Sequence, residues 1–228
     1  MPEVHPLDYP IWTALTTRQS TIAEGGALAR RFPTAIAPFA ALADLSAANF
    51  DALHALMSPT DRAALFTPEP INPPAQFEVQ VAATGEQMIG APHDVSGPMP
   101  DIVTLGAADA PEMLALAELT KPGPFSLRTH ELGHFFGVRV DGCLAAMTGE
   151  RMKPANYTEM TAVCVHPDFR GRGYAQALLA HVSRQILARG EIPFLHVFSD
   201  NASAIALYKR QGMTIRRRIH VTVLGRCA

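Results

Sequence analysis

At 228 residues with a net charge of −2, the chain has material for one large or two small domains with a full core. It has no apolar run approaching the ~20 residues of a membrane helix. Its start, Met-Pro-Glu-Val-His-Pro-Leu-Asp, lacks the basic and apolar regions of a signal peptide.

Three cysteines, Cys143, Cys164 and Cys227, fall in no metal or redox spacing, which implies reduced thiols and a cytoplasmic setting. Residues 1–100 carry four Arg, no Lys and ten acidic residues, for −6, and residues 101–228 carry fifteen basic against eleven acidic residues, for +4. The C-terminal half is therefore expected to meet an anion. Nucleic acid would require a larger basic excess with interleaved aromatics, so no nucleic-acid partner is expected, nor a membrane.

Thirteen of the nineteen prolines precede residue 101, so loops punctuate the first half. Helices are predicted over Trp12 to Ala23 and over Ser46 to Met57, the second with Ser46 as N-cap and Phe50, Leu53, Leu56 and Met57 on one face. His54 on that apolar helix reads as a core or boundary residue. Phe77 to Val81 alternates as a strand. Pro68 to Pro74 and Pro92 to Pro100 read as extended loops, the latter as a linker. The chain thus divides into an α+β region over 1–95 and a second domain over 96–228.

In the second half, Ile102 to Leu105 is a predicted strand. Asp109 and Glu112 open a helix that runs through Leu119. Phe135 to Val140 and Cys143 to Met147 flank Asp141-Gly142, a strong hairpin signal. His130-Glu131-Leu132-Gly133-His134 is a literal HExxH. Zinc binding there requires both histidines on one stable helix and a third ligand beyond. Pro122-Gly123-Pro124 precedes it, Val140 stands at the third-ligand position, and a hairpin follows. A structural or substrate-loop role is expected, and no metal.

The informative stretch runs from Glu159 to Ala175. Met160 to Val165 is a buried strand, ended by His166-Pro167-Asp168. Arg170-Gly171-Arg172-Gly173 follows, and Ala175, Leu178, Leu179, Val182 and Ile186 then line one face of a helix. A strand, a glycine turn with two arginines and a helix start make an anion site, because amides at the helix N-terminus lack intrahelical partners. The third glycine of a dinucleotide fingerprint is absent, as is the Lys-Ser/Thr pair of a Walker loop. Gly190 caps the helix, and Pro193 to Phe198 is a buried strand. A helix follows over Ala202 to Gln211, then a long final strand over Met213 to Leu224. The Arg216-Arg217-Arg218 run within it reads as a solvated strand end.

Arg170-x-x-Gly173-x-Ala175, eleven residues after Glu159, resembles the coenzyme A pyrophosphate loop of the GNAT superfamily of N-acetyltransferases. Asn201-x-x-Ala204-x-x-x-Tyr208-x-x-x-Gly212-Met213 is similar to the family's later signature, with Met213 where phenylalanine is usual. The resemblance spans about Asp101 to Leu224. It implies an α/β fold of GNAT type, a mixed, mostly antiparallel twisted sheet flanked by helices, and makes 1–95 an α+β extension or degenerate half-domain. It implies acetyl-CoA as cosubstrate and a small-molecule or peptide amine as acceptor, joined by direct attack in a ternary complex.

Position by position, the amides of Gly171, Arg172, Gly173, Tyr174 and Ala175 with the Arg170 side chain would hold the pyrophosphate, and Arg172 would add charge or face solvent. Backbone groups of Val163 and Val165 would pair with the pantetheine arm, and Asn201 would bond it or cap its own helix. Glu159, at the mouth of a strand cleft, would act as general base, and Tyr208 as the acid that protonates the leaving thiolate. Cys164 reads as a core thiol. The rival readings are a non-catalytic acyl-CoA sensor and a zinc hydrolase built on the HELGH segment.

Overall fold

The computed structural model describes residues 5–90 and 99–227. The N-terminal region supplies helix α1 (Pro10–Thr16), the short strands β1 (Glu24–Gly25), β2 (Ala29–Arg31) and β3 (Ala40–Leu42), helix α2 (Ala47–Leu56), and strands β4 (Arg62–Thr67) and β5 (Phe77–Ile89). Then come β6 (Ile102–Leu105), α3 (Ala110–Thr120), β7 (Phe135–Val140), β8 (Cys143–Glu150) and β9 (Tyr157–Val165). The chain continues through α4 (Tyr174–Ala188), β10 (Ile192–Phe198), α5 (Ala202–Arg210) and β11 (Thr214–Arg226).

Strands β1, β2 and β3 form a small antiparallel sheet, and the other eight form one large sheet in the order β4-β11-β5-β10-β9-β8-β7-β6. Every pairing in the large sheet is antiparallel except β9 with β10. This is the mixed, mostly antiparallel α/β architecture expected. Strands of the N-terminal region are interleaved with the rest: β5 lies between β10 and β11, and β4 closes that end. The boundary read at residues 95 and 96 lies outside the described residues, as does most of the Pro92–Pro100 stretch. On either side of it the chain contributes strands to one sheet, and Phe32 and Phe39 share a hydrophobic cluster with Leu132, Met152 and Phe194.

Adjacent strand residues point to opposite faces, and the core divides accordingly. On one face Leu178, Leu179, Val182 and Ile186 of α4 pack with Met88, Ala146, Met160, Leu195 and Val197, and Tyr208 of α5 joins them. The regular spacing of α4 is what makes that stripe continuous. On the other face Met113, Leu116 and Ala117 of α3 meet Met147, Ala162 and Cys164. Beside them Leu7, Ile11, Leu15, Phe32 and Phe39 of the N-terminal region cover Met152 and Phe194.

Several local expectations change. The helix expected over 12–23 stops at Thr16, with a separate 3-10 turn over Ser20–Ile22. Strand β5 runs eight residues past Val81, because Gly85 to Met88 are buried on both faces and lose the alternation that marks a strand in sequence. Ser46 stands at the N-cap of α2 without a side-chain bond; instead Asp44 accepts from the Ser46 amide at 2.8 Å and the Asn49 side chain at 2.7 Å. Asp109 and Glu112 share Arg139 at 2.7 Å each. Within the arginine run of β11, Arg216 and Arg217 are half-buried and both bond Asp8, whereas Arg218 is exposed, as a solvated position would be, and bonds Glu86.

Candidate active site

Strands β9 and β10 pair over three positions, Tyr157 with Ile192, Thr158 with Pro193 and Glu159 with Phe194, and then part. The fork between them is shaped by a β-bulge in β9. Opposite the step from Gly149 to Met147 on β8, β9 advances from Thr161 to Cys164, and Ala162 takes a φ of 51°. Thr148 fastens the bulge by donating its hydroxyl to the Thr161 carbonyl at 2.8 Å.

The extra residue reverses the phase of the strand. Before it, both backbone groups of Glu159 point to the β8 side, bonding Met152 and Arg151 at 2.8 and 3.0 Å. After it, His166 points that way, its amide donating to the Ala145 carbonyl at 2.8 Å. Strand alternation then turns the amides and carbonyls of Val163 and Val165 into the fork. Without the bulge those groups would be spent on β8.

At the open end of the fork, His166 accepts the Asp168 amide at 3.3 Å and opens a 3-10 turn over Pro167–Phe169. Gly171 and Gly173 follow with φ of 75° and 79°, values that cost an L-residue about 1–2 kcal/mol. Gly173 is the N-cap of α4 and offers no side chain to its first amides. Arg170 is exposed beside them. Arg172 lies over the Phe169 ring at 5.1 Å and donates to the Asp168 carbonyl at 3.5 Å, so it packs along the turn. Asn201 caps α5: its Oδ1 accepts the Ala204 amide and the Ser203 hydroxyl, both at 3.1 Å.

Tyr208 is 8% exposed. Burial, with the Cys164 thiol as neighbour, pushes its phenol up to about 12, so it holds its proton at neutral pH. Cys164 is likewise pushed up to about 12 by burial, despite a hydrogen bond with Thr120, and is no nucleophile.

Glu159 is not at a solvent-open mouth. It is fully buried, and its two oxygens receive Arg151 in a bidentate pair at 2.7 and 2.7 Å. The Met152 amide at 3.3 Å and His196 Nδ1 at 2.7 Å complete its partners. Burial alone would raise this carboxyl, but the Arg151 guanidinium and the His196 bond overcome it and bring it down to about 2. Arg151 itself is stacked on the Phe39 ring at 4.5 Å, so the N-terminal region helps build the pair. Of these partners the sequence signalled none. The available clue was that a glutamate opening a buried strand requires a cation.

The HELGH segment holds a 3-10 turn over Thr129–Leu132, after which Gly133 is extended. His130 and His134 therefore do not share a helix face. His130 Nδ1 lies 2.9 Å from the Leu127 carbonyl, and His134 lines a shallow cleft with Phe136, His181 and Arg189. Thr129 donates to the Ile36 carbonyl at 2.7 Å, tying this loop to the N-terminal region.

Comparison with known proteins matches residues 106–213 to the model of the acetyltransferase (GNAT) family. A solved GNAT-family protein from Novosphingobium aromaticivorans is 43% identical and superposes with a TM-score of 0.88, covering 99% of this chain and 100% of that one. The chain belongs to the GNAT family of acetyltransferases. N-alpha-acetyltransferase RimI of Mycobacterium tuberculosis is 33% identical over 138 residues, 52% of this chain and 84% of that protein. [Ribosomal protein bS18]-alanine N-acetyltransferase of Salmonella typhimurium is 40% identical over 67 residues, 45% of its own length. A GCN5-related N-acetyltransferase from Kribbella flavida shares the fold over 96% of both chains at a TM-score of 0.63 and 14% identity. In this GNAT chain the matched segment contains the fork, the glycine turn and Tyr208, but none of β4, β5, β6 or β11.

Proposed function

We propose that this acyltransferase moves an acetyl group from acetyl-CoA to an α-amine, the N-terminus of a peptide or a similar small amine, by direct attack in a ternary complex. The observation that carries the reading is the bulge at Ala162, which leaves the backbone of Val163 and Val165 unpaired along the fork. An extended pantetheine arm, with its amides spaced like a strand's, is the ligand such an edge suits. In this reading Arg170 and the amides of Gly171, Arg172, Gly173, Tyr174 and Ala175 bind the pyrophosphate at the N-terminus of α4. The Val163 amide donates to the thioester oxygen as charge grows there. Tyr208, which retains its proton, delivers it to the leaving thiolate. Asn201 serves chiefly as the cap of α5.

Glu159 takes a different part from that of exposed base. A carboxylate held to about 2, with both oxygens engaged, is a poor proton acceptor. The attacking amine then loses its proton to water, which favours acceptors already partly neutral near pH 7. An α-amine, at about 7.7–8.0, meets that condition and a lysine side chain, at about 10.4, does not. The names of two relatives, an N-alpha-acetyltransferase and a ribosomal-protein alanine N-acetyltransferase, support the same class of acceptor.

The test is thiol release from acetyl-CoA with short peptides bearing free or blocked N-termini, and with Nε-lysine acceptors, across pH. Transfer to free N-termini that rises with pH along the amine's own titration is expected. Acetyl-CoA binding without turnover on any amine would favour a sensor instead.

A further inference from the structure

Glu159 and Phe194 form the last backbone pair between β9 and β10. The next β10 side chain on Glu159's face is His196, and its Nδ1 bonds Glu159 Oε1 at 2.7 Å. The hydrogen bond therefore stands where the next backbone rung would have been. On its other side His196 is directly opposite Gln87 of β5, with the two Nε2 atoms 3.0 Å apart. The Gln87 amide is fixed in orientation, since Arg216 donates to its Oε1 at 2.9 Å and its Nε2 donates to the Leu7 carbonyl at 2.8 Å. The nitrogen facing the imidazole is thus a donor, His196 Nε2 accepts, and the ring hydrogen sits on Nδ1, aimed at Glu159. Arg216 continues the row to Asp8 at 2.7 Å. One line of side-chain hydrogen bonds crosses β9, β10, β5 and β11 at the apex of the fork, and its far end is held by the N-terminal segment.

We propose that the Glu159–His196 hydrogen bond is a side-chain rung that sets where β9 and β10 part, making His196 and Gln87 positioning residues for acetyl-CoA. The inference rests on the acyl-transfer reading for its ligand and on geometry alone for the rung. Val163 lies four residues beyond Glu159 on the same strand, so the rung governs how its amide is presented. Misplacement of a reacting group by about 1 Å is enough to cost ~100-fold.

Two variants separate positioning from mere core filling. His196→Asn keeps a donor at the Nδ1 position, whereas His196→Gln keeps only a group at the Nε2 position. Both are measured well below their Tm, by calorimetric titration with acetyl-CoA and by hydrogen exchange of the peptide spanning 160–166. His196→Asn is expected to bind acetyl-CoA within about threefold of wild type and to exchange like it. His196→Gln, which loses a hydrogen bond to a charged group, is expected to bind about tenfold or more weakly and to exchange faster in that peptide. Equal behaviour of the two variants in exchange and binding would overturn the rung, whether both match wild type or both fail. A wild-type protein that does not bind acetyl-CoA would overturn the acyl-transfer reading instead, and the exchange comparison would still decide the rung.

Discussion

Glu159→Gln keeps the shape of the side chain at the fork's apex and removes its charge. The fall of the carboxyl from 4.5 to about 2 in the folded state measures how much more tightly the fold holds the ionised form. At about 1.4 kcal/mol per pH unit this amounts to roughly 3 kcal/mol. Breaking a buried ion pair from one side costs about 3–5 kcal/mol by a separate route, since the Arg151 guanidinium would be left without its counter-charge. Because the folded value is depressed, the stabilisation is complete above 4.5 and is lost as pH falls from 4.5 through about 2. Urea unfolding of wild type and Glu159→Gln is therefore expected to differ by roughly 3 kcal/mol near pH 7 and by under half of that near pH 3. A difference below about 1 kcal/mol near pH 7, or one that does not narrow on acidification, would refute the buried-pair reasoning.

Tyr208→Phe is expected to lower kcat by about 100-fold or more while acetyl-CoA affinity stays within about twofold, as steady-state thiol release and titration would report. Arg170→Ala should raise the KM for acetyl-CoA several-fold, and the gap from wild type should shrink as salt is added, because the exposed guanidinium acts through a screened charge. Ala162→Gly removes the left-handed strain at the bulge and is expected to stabilise the protein by up to about 1 kcal/mol without loss of transfer, read as a rise in Tm. His130→Ala and His134→Ala should leave transfer unchanged; loss of activity in both would return the HELGH segment to the site.

The parts of this site that were legible in sequence are those whose geometry is local. Gly171 and Gly173 mark left-handed turns, and the spacing of Leu178, Leu179, Val182 and Ile186 marks a helix face; each signal spans a few residues. Asn201 and Tyr208 were reached through family resemblance. The Glu159–His196–Gln87 row was not legible, because His196 lies 37 positions after Glu159 and 109 after Gln87 along the chain. The bulge was equally hidden, since alanine carries no bulge signature and only the pairing with β8 reveals the extra residue. Strands of two or three residues such as β1 to β3 are too short for alternation to register.

The place of β5 between β10 and β11 has a consequence for how the chain can be made. Residues 77–89 leave the ribosome early, yet both of their sheet neighbours, 192–198 and 214–226, are among the last to be synthesised. Until those arrive, a long strand must wait with its edges open, which favours slow, late-committing folding. The same arrangement means that cutting the protein down to its family-matched segment would not liberate a small enzyme. It would remove β5 and β11 together, and with them Gln87 and Arg216.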